Sequence, residues 1–354
     1  MDTEIRMSQK MQAAVLHAPG QISVDSVEKP TISDKGQVLI SVAACGVCGS
    51  DIDRMLNKGT YKMPLICGHE FSGYVVEVSD DVTSPSVGDL VTVPPLIPCF
   101  KCDLCKQGQF SLCEDYDYFG SRRNGAYAEL VVSPASNVIV VPKSLDPRAA
   151  AMIDPCAIAI HALRRTSIKK GSKVAVIGAG PIGLFAIQWA KLLGASEILA
   201  VDLSEEKIKQ AIIAGATLTA TSEKDALLHS GNGYEVVFES AGVPSSINLT
   251  VSLVAARGDA VFVGIPNKAV EFSSENYARF LRQEINLHGA WNSFSNPWPG
   301  EEWFDSIKML AEGKLKWEFM ITHELALNDL PEMFQKLGKR SEHTSKVLFF
   351  PNGK

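Results

Sequence analysis

Hydrophobic and polar residues alternate in short runs through the first 150 residues, and Gly, Pro and Asp separate one run from the next. Alternation over about four to eight residues is typical of half-buried strands, because successive side chains of a strand point to opposite faces. The pattern predicts strands at 13–16, 38–43, 71–78, 89–93, 128–132 and 138–141. We therefore expect an antiparallel, barrel-like lobe with long loops.

The pattern changes near residue 146. Residues 149–166 are rich in Ala and predict a helix, and beyond them short apolar runs alternate with helical stretches. The predicted strands of this region are 173–177, 198–201, 234–239, 260–263 and 285–289, and the clearest helix is 181–193. Regular alternation of strands and helices indicates a parallel sheet with helices on both faces, which is a doubly wound α/β domain.

Beyond Trp291 the pattern is irregular again, with a predicted helix at 301–312 and a last strand at 346–350. We interpret this part as a return to the first lobe, which makes that domain discontinuous. The predicted organisation is a disordered lead-in at 1–10, one domain formed by 11–153 and 291–354, and a second domain at 154–290.

Composition and charge narrow the function classes. The 354 residues are 46% hydrophobic and 21% charged, as expected of a globular protein of two domains. A formal net charge of −6 without a long basic cluster argues against a nucleic-acid partner. No apolar run approaches the roughly 20 residues that span a bilayer, and residues 1–10 lack the apolar core of a signal peptide. We expect a cytoplasmic protein that acts on a small molecule, with neither nucleic acid nor membrane as a partner.

Half of the eight cysteines lie in one short segment, at Cys99, Cys102, Cys105 and Cys113. The C-x2-C-x2-C-x7-C spacing suits a closed tetrahedral zinc site, because short loops can bring four thiolates to about 2.3 Å from one ion. Two disulfides or an iron–sulfur cluster are the alternatives. A closed four-cysteine site has no free coordination position, so it holds a lobe together and performs no chemistry.

A glycine-rich turn predicts a dinucleotide site in the second domain. Gly178, Gly180 and Gly183 form a G-x-G-x-x-G pattern that follows a β-branched strand and begins a helix, with Pro181 and Ile182 inside it. The first glycine permits the tight turn, the second allows the pyrophosphate to approach the backbone, and the third permits close packing of helix and strand. The N-terminus of the helix then presents N–H groups to the phosphates.

Asp202 ends the next predicted strand, where an acidic residue binds both hydroxyls of the adenosine ribose. A carboxylate repels a 2′-phosphate, and Leu203 rather than Arg follows it, so the sequence favours NAD over NADP. The alternative role for Asp202 is the N-cap of the helix at 204–214. Two later strand ends extend the predicted nucleotide site, with ordinary strand-to-loop turns as the alternative; their residues are Ser240 and Gly242, and Val263, Gly264 and Ile265.

A second metal site is suggested by Cys48, in the run Cys48-Gly49-Ser50-Asp51, and by His69-Glu70. Thiolate and imidazole are ligands that a catalytic zinc ion prefers, with one position left for water or substrate. Taken alone, one Cys and one His about twenty residues apart are more often core residues than metal ligands.

From about residue 13 to residue 351 the chain resembles the zinc-dependent medium-chain alcohol and polyol dehydrogenases. The markers are C-G-V-C-G-S-D, G-H-E-F-S-G, the four-cysteine loop, D-P-x5-H-A from Asp154, and the glycine fingerprint, in that order. The resemblance implies a GroES-like β-rich catalytic domain and a Rossmann coenzyme domain. It also implies one catalytic and one structural Zn²⁺, NAD as cofactor, and a homo-oligomer, either a dimer or a tetramer.

The resemblance further implies roles for individual residues. It places Cys48, His69 and Glu70 at the catalytic zinc, with Asp154 as the remaining ligand, either directly or through water. Polyol dehydrogenases usually have Glu where this chain has Asp154, and the shorter side chain favours a bridging water. Ser50 would accept the proton of the substrate hydroxyl and pass it outward.

Within the family, residues 99–102, 119–125 and 291–303 resemble those of the galactitol-1-phosphate 5-dehydrogenases. That resemblance implies oxidation of galactitol 1-phosphate to tagatose 6-phosphate. Arg122 and Arg123 could bind the phosphate, Trp298 could line the substrate site, and Lys346 could reach the cofactor pyrophosphate. Solvent-facing arginines, a core tryptophan and a surface lysine are the respective alternatives.

Other functions remain open from the sequence. One is a dehydrogenase for another polyol phosphate, such as arabitol phosphate, and another is a dehydrogenase for a free polyol, such as sorbitol. A protein that binds NAD for a structural or redox-sensing purpose, without catalysis, is the alternative outside the enzymes.

Overall fold

The structure is a computed structural model that describes residues 9–354, and these residues form two compact units. The first unit contains residues 9–107, Cys113–Ile153 and Ile321–Lys354, and the second contains Gly108–Leu112 and Asp154–Met320. Of the predicted disordered lead-in at 1–10, residues 1–8 lie outside the described part. Lys10 begins a strand, and the Gln9 carbonyl accepts a hydrogen bond from the Lys29 N–H at 2.9 Å.

Eighteen strands are present among the described residues. In chain order they are β1 (Lys10–Ala18), β2 (Gln21–Glu28), β3 (Gln37–Gly46), β4 (Leu65–Ile66), β5 (Glu70–Val78), β6 (Leu90–Thr92), β7 (Leu96–Ile97), β8 (Asp117–Tyr118), β9 (Leu130–Pro134), β10 (Ile139–Val140), β11 (Lys173–Ile177), β12 (Glu197–Val201), β13 (Leu218–Ala220), β14 (Tyr234–Glu239), β15 (Val254–Phe262), β16 (Asn286–Gly289), β17 (Ile321–Ala326) and β18 (Lys346–Phe350).

Eleven α-helices lie between them in the same part of the chain. They are α1 (Gly49–Asp53), α2 (Asp103–Lys106), α3 (Pro147–Ala150), α4 (Ile153–Arg164), α5 (Pro181–Leu192), α6 (Glu205–Ala214), α7 (Glu223–His229), α8 (Pro244–Leu253), α9 (Ser274–Arg282), α10 (Glu301–Ala311) and α11 (Leu330–Lys339). A π-helical turn follows α1 at Arg54–Lys58, and short 3-10 turns lie at Phe110–Leu112, Ala135–Asn137, Glu318–Met320 and Leu327–Asp329. None of the helices described between residues 9 and 354 has the length and apolar character needed to cross a membrane.

The first unit is the predicted β-rich lobe. A seven-stranded sheet has the order β10-β6-β5-β3-β18-β17, with β9 also paired to β3, and a second sheet has the order β2-β1-β4. Its strand pairs are antiparallel except β17 with β18, which is parallel. The core contains apolar residues of β3 and β5 and, from the C-terminal part of the chain, Phe334 of α11 and Phe349 of β18. The expectation of a GroES-like domain is confirmed.

The second unit contains a six-stranded parallel sheet in the order β13-β12-β11-β14-β15-β16. The chain moves outward in one direction from β11 and then in the other direction from β14. This is the order of a Rossmann fold, in which ligands bind at the carboxyl ends of the strands beside the point of reversal. β11 and β14 begin and end at the residues predicted from the sequence. The predicted doubly wound sheet is confirmed.

Two elements differ from the sequence-based predictions. The predicted helix at 149–166 is divided into α3 and α4, with a break at Ala151 and Met152. Pro155 explains the break, because proline lacks a backbone N–H and is tolerated in the first turn of a helix but not in its interior. A new helix therefore begins just before it.

The chain also returns to the first unit later than expected, at Ile321 rather than near residue 291. The Trp303 side chain is fully buried and its Nε1–H donates to Ser293 Oγ at 3.1 Å. Gln188 of α5 exchanges two hydrogen bonds with the backbone of Lys316, at 2.9 and 2.7 Å. Residues 291–320 are therefore held on the second unit by their own packing.

Candidate metal and nucleotide sites

Three potential metal ligands of the first unit lie close together. The Sγ atom of Cys48, a ring nitrogen of His69 and a carboxylate oxygen of Glu70 are all within 4.8 Å of one another. The strand pairing explains this, because Gly46 at the end of β3 lies opposite Glu70 at the start of β5. Cys48 follows β3 by two residues and His69 immediately precedes β5. Residues distant in sequence are thus brought together at one end of this strand pair.

A buried carboxylate orients the histidine of this cluster. Nδ1 of His69 faces Asp51 Oδ1 at 3.3 Å, without the angles of a hydrogen bond, so Nε2 is the nitrogen left for a metal. Asp51 is inaccessible to solvent and accepts hydrogen bonds from Arg54 and from the Tyr127 hydroxyl, the latter at 3.2 Å. Carboxylates that hold a ligating imidazole in this way are typical neighbours of zinc sites. The sequence analysis named Asp51 only as part of a motif and assigned it no role.

The charges of the cluster favour an ionised thiol. Burial raises the pKa of Cys48, but its hydrogen bond to His69 and the charge of that ring outweigh burial and lower the pKa to about 7. Burial lowers the pKa of His69, whereas Asp51 and Cys48 raise it to about 10. Burial raises the pKa of Asp51, but the charges of His69 and Arg54 prevail and lower it to about 2. A metal ion that binds here displaces the imidazole proton and coordinates a thiolate, so this donor set fits zinc.

Glu70 is held from its other side by a buried lysine. The ammonium of Lys346, in the first position of β18, donates to Glu70 Oε2 and, at 3.2 Å, to the Val47 carbonyl. Gly46 leaves the space for this side chain, because a Cβ atom there would lie 2.6 Å from Lys346 Cε. Burial lowers the pKa of Lys346 to about 8. The alternative of a surface lysine is therefore excluded, and the predicted contact of Lys346 with the cofactor stays a prediction.

Two further predicted catalytic residues lie in different surroundings. Ser50 is exposed in α1, and its hydroxyl donates to Cys48 Sγ at 3.3 Å. Asp154 is buried in the first turn of α4, in the second unit. The described cluster of ligand atoms consists of Cys48, His69 and Glu70 and does not include Asp154. The role of Asp154, as a direct or water-mediated ligand, stays a prediction.

The four-cysteine loop has the geometry of a metal site. The four sulfur atoms of Cys99, Cys102, Cys105 and Cys113 lie within 4.8 Å of one another, and all eight cysteines of the chain are free. Tetrahedral coordination at about 2.3 Å separates sulfurs by about 3.8 Å, which this cluster can supply. Backbone N–H groups point at three of the sulfurs, at 3.2, 3.3 and 3.5 Å. These contacts stabilise thiolates, so the residues fit a structural zinc, and the structure forms no disulfide among them.

The glycine-rich turn of the second unit has the expected backbone. Gly178 has φ of 93°, a left-handed conformation that favours glycine. A Cβ atom at Gly183 would lie 1.8 Å from the Gly178 carbonyl oxygen, so the helix and the strand could not pack this closely if residue 183 had a side chain. A Cβ atom at Gly180 would meet nothing within 4 Å, and Pro181 and Ile182, both partly exposed, begin α5 directly after it. The open space lies where a pyrophosphate would approach the helix N-terminus.

Asp202 follows β12 and is fixed beside this turn. Its Oδ2 accepts a hydrogen bond from the Ala179 N–H at 2.8 Å, and its Oδ1 accepts one from the Ser204 N–H at 3.0 Å. The N-cap of α6 is Ser204 itself, whose hydroxyl accepts from the Lys207 N–H. The alternative role of Asp202 as the N-cap is therefore wrong, and its carboxylate lies at the carboxyl end of the sheet.

The two later strand ends meet through their glycines and one buried carboxylate. A Cβ atom at Gly264 would lie 2.3 Å from the Gly242 nitrogen, so the loops touch backbone to backbone. Glu239, at the end of β14, is fully buried, and its Oε1 accepts hydrogen bonds from Ala241, Gly242 and Ser246 at 2.9, 2.8 and 2.6 Å. Ser240 Oγ donates to the Gly178 carbonyl at 3.1 Å. Sequence analysis missed Glu239, because a glutamate that ends a buried strand carries no motif of its own.

The predicted substrate residues are divided between the units. The Arg122 guanidinium lies over the rings of Tyr61 and Tyr116, and Arg123 pairs with Asp117 at 3.5 Å, all in the first unit. In the second unit, Trp298 contacts Phe110 and Phe294, with ring centroids at 5.3 and 5.0 Å. Val263 and Gly264 are half-buried and Ile265 is exposed. Their contacts with substrate or cofactor stay predictions.

Comparison with known proteins identifies relatives of both units. A family model described as "Alcohol dehydrogenase GroES-like domain" matches residues 34–143, and one described as "Zinc-binding dehydrogenase" matches residues 181–312. Galactitol 1-phosphate 5-dehydrogenase of Escherichia coli (strain K12) is 33% identical over 96% of this chain and 100% of its own. Sorbitol dehydrogenase of Bacillus subtilis is 31% identical over 97% and 98%, and D-arabitol-phosphate dehydrogenase of Enterococcus avium is 32% identical over 95% and 97%.

Solved structures agree over the same length. The crystal structure of galactitol-1-phosphate dehydrogenase from Escherichia coli has a TM-score of 0.91 at 33% identity and covers 96% of this chain and 100% of its own. A putative zinc-binding dehydrogenase from Sinorhizobium meliloti 1021, bound to NADP, has a TM-score of 0.89 at 29% identity and covers 97% and 100%. The likeness thus extends over residues of both units.

Proposed function

Because the chain belongs to the zinc-dependent medium-chain alcohol and polyol dehydrogenases, we propose that it oxidises a secondary hydroxyl of a sugar-alcohol phosphate to a ketone with NAD⁺. Galactitol 1-phosphate, with tagatose 6-phosphate as the product, is the proposed substrate, since the relative of that name matches over its full length. The observation that carries the proposal is the cluster of Cys48, His69 and Glu70, which supplies thiolate, imidazole and carboxylate at one place.

Cys48, His69 and Glu70 would hold the catalytic zinc, with Asp154 as the proposed fourth ligand or the partner of a bridging water. A zinc ion bound there supplies Lewis-acid polarisation of the substrate hydroxyl, which lowers its pKa toward neutrality. Asp51 keeps the His69 ring oriented with Nε2 free, since the carboxylate faces Nδ1. Lys346 balances the negative charge of Glu70, and both side chains are buried.

Ser50 is the proposed first acceptor of the hydroxyl proton. Ser50 is exposed, and its Oγ lies 3.3 Å from Cys48 Sγ. A proton released by a substrate bound next to Cys48 could therefore pass through this hydroxyl to solvent. Proton transfer of this kind contributes when the acceptor is within hydrogen-bond reach of the reacting group.

The proposed cofactor is NAD, which supplies the hydride acceptor when bound. Gly178, Gly180 and Gly183 make room for the pyrophosphate at the start of α5, and Asp202 would bind the ribose hydroxyls. The Asp202 carboxylate is fixed by two backbone N–H groups, so it cannot readily turn away from a 2′-phosphate. The loops that carry Ser240, Gly242 and Val263–Ile265 would support the nicotinamide half.

A dehydrogenase for D-arabitol phosphate or for free sorbitol is the second candidate function. The relatives with these names are 32% and 31% identical to the chain, close to the 33% of the galactitol 1-phosphate enzyme. In this chain each of the three reactions would use the proposed metal and nucleotide residues, and the substrates differ in the groups that the rest of the site would have to recognise. A cytoplasmic homo-oligomer, either a dimer or a tetramer, remains our expectation for the protein.

The proposed function is tested with the zinc-loaded protein and a panel of hexitols, pentitols and their monophosphates. NADH formation is followed by absorbance, with NAD⁺ and NADP⁺ compared for each substrate. The proposal predicts the highest kcat/KM for galactitol 1-phosphate with NAD⁺. A higher kcat/KM for a free polyol would show that the preferred substrate is not phosphorylated. The absence of turnover with every alcohol would favour a non-catalytic NAD-binding protein.

A further inference from the structure

Arg122 is a cation without an acidic partner in the first unit. Its Cζ lies 4.3 Å from the ring centroid of Tyr61 and 4.3 Å from that of Tyr116. Its Nε is buried and has no hydrogen-bond partner. Within residues 9–354 no Asp or Glu forms an ion pair with Arg122, whereas the neighbouring Arg123 pairs with Asp117 at 3.5 Å and lies over the Phe119 ring. Tyr61 and Tyr116 also accept hydrogen bonds from the guanidinium, which has five N–H donors in all and whose charge no carboxylate of the described residues balances.

A row of aromatic rings joins this arginine to the metal-ligand cluster. The rings of Tyr116 and Tyr118 contact each other edge to face, with centroids 6.2 Å apart. Tyr118 in turn contacts the His69 ring at 5.6 Å. Arg122 is thus three direct contacts away from His69, within the same compact unit.

From these contacts we propose that Arg122 binds the phosphate group of the substrate, and that Tyr61 and Tyr116 hold the guanidinium in place. The inference rests on the proposed function and adds the residue that recognises the phosphate. Arginine and phosphate form paired, charge-assisted hydrogen bonds, which the terminal N–H groups of the guanidinium can supply. The tyrosine rings fix the guanidinium before binding, so less side-chain entropy is lost.

The shape of the substrate requires that the phosphate-binding cation be separated from the metal-ligand cluster. In a hexitol 1-phosphate that reacts at carbon 5, the phosphate and the reacting hydroxyl lie near opposite ends of the chain. A phosphate-binding group beside Cys48 or His69 would therefore be misplaced. Arg122 is connected to His69 only through Tyr116 and Tyr118, which is consistent with a phosphate site separate from the metal-ligand cluster.

The test compares kcat/KM of the wild type and of Arg122→Gln for galactitol 1-phosphate and for free galactitol. Loss of a charge-assisted contact predicts a decrease of roughly 10- to 100-fold for the phosphorylated substrate, mainly through KM, and little change for the free polyol. Arg122→Lys keeps the charge but not the planar fork, so we expect an intermediate decrease. Arg165→Gln, which removes an exposed guanidinium of the second unit, is the matched control for a change of net charge.

A second measurement does not depend on turnover of the free polyol. Inorganic phosphate should compete with galactitol 1-phosphate in the wild type, and its inhibition constant should rise about tenfold or more in Arg122→Gln. Unchanged NADH binding shows that each variant is folded. If Arg122→Gln fails this check, Arg122→Lys and Tyr61→Ala serve in its place, and both should lose selectivity for the phosphorylated substrate.

Equal losses for both substrates, or an unchanged inhibition constant, would overturn the role of Arg122 while leaving the proposed function intact. A larger selective loss in Arg123→Gln would transfer the role to Arg123. If the wild type itself does not prefer phosphorylated polyols, the proposed substrate class fails, and the inference fails with it.

Discussion

Lys346 and Glu70 form a buried ion pair although 276 positions separate them along the chain. Both side chains are almost inaccessible to solvent. Glu70 also belongs to the cluster of candidate zinc ligands, so its carboxylate lies between an ammonium group and the metal site. The pair links β18, near the end of the described chain, to the strands that carry the site.

Replacing Lys346 by Met should destabilise the protein by about 3–5 kcal/mol, because the change leaves a buried carboxylate without its partner. Urea unfolding of the metal-free protein measures this. The double variant Lys346→Met, Glu70→Gln is the control, since it removes both charges and should recover much of the loss. If Lys346→Met is as stable as the wild type, the ion pair with Lys346 does not stabilise the buried Glu70 carboxylate.

Asp51→Asn should weaken zinc binding at the Cys48 cluster by roughly 10- to 100-fold, because the neutral amide no longer holds the His69 imidazole or raises its basicity. Competition with a chelator of known affinity measures the effect on the catalytic metal. Asp53→Asn is the matched control, since Asp53 lies on the same helix but pairs with Lys58 at the surface. If Asp51→Asn and Asp53→Asn bind zinc with the same affinity, Asp51 does not stabilise the metal site.

Glu239→Ala should weaken NADH binding about tenfold and lower stability by about 1–3 kcal/mol. The change leaves the N–H groups of Ala241 and Gly242 and the Ser246 hydroxyl without their acceptor, so the loops at the end of the sheet lose their fixed geometry. Glu239→Gln retains an acceptor oxygen and should recover most of the affinity. Fluorescence titration with NADH decides the matter; an alanine variant that binds as tightly as wild type refutes the positioning role.

The stability of the second unit should depend on pH through Glu302. Burial raises its pKa, but hydrogen bonds from His161 at 2.9 Å and Ser295 at 2.6 Å outweigh burial, so the pKa lies below the ordinary 4.5. The resulting stabilisation is complete above the pKa of the unfolded group and is lost as pH falls through the lower folded value.

Glu302→Gln should therefore lose less stability than wild type between about pH 5 and pH 3, although it is the less stable protein at pH 7. Thermal melts across this range provide the comparison. The adjacent and exposed Glu301→Gln should follow the wild-type curve. Parallel curves for wild type and Glu302→Gln would mean that another group controls the acid sensitivity.

Local patterns in the sequence were sufficient for the central strands and the nucleotide turn of the second unit. The strands β11 and β14 have the predicted bounds, because their buried β-branched runs end at a glycine and at a charged residue, respectively. The glycine fingerprint also predicted the turn, where Gly178 has a positive φ and Gly183 has no room for a side chain.

Features that depend on distant partners were not predictable in the same way. The burial of Lys346 depends on Glu70, and the positions of residues 291–320 depend on contacts of Trp303 and Gln188. Asp51 and Glu239 act through groups that only the fold brings to them. A single sequence shows the polar residue in each case but not the partner that determines its role.

The central claim is that Cys48 belongs to a zinc site required for alcohol oxidation. The most direct test measures zinc content, turnover and NADH binding in the wild type and in Cys48→Ser. We predict that the variant binds one zinc equivalent fewer, retains the zinc of the four-cysteine loop and its affinity for NADH, and loses turnover. A Cys48→Ser protein with full zinc content and wild-type turnover would contradict the claim.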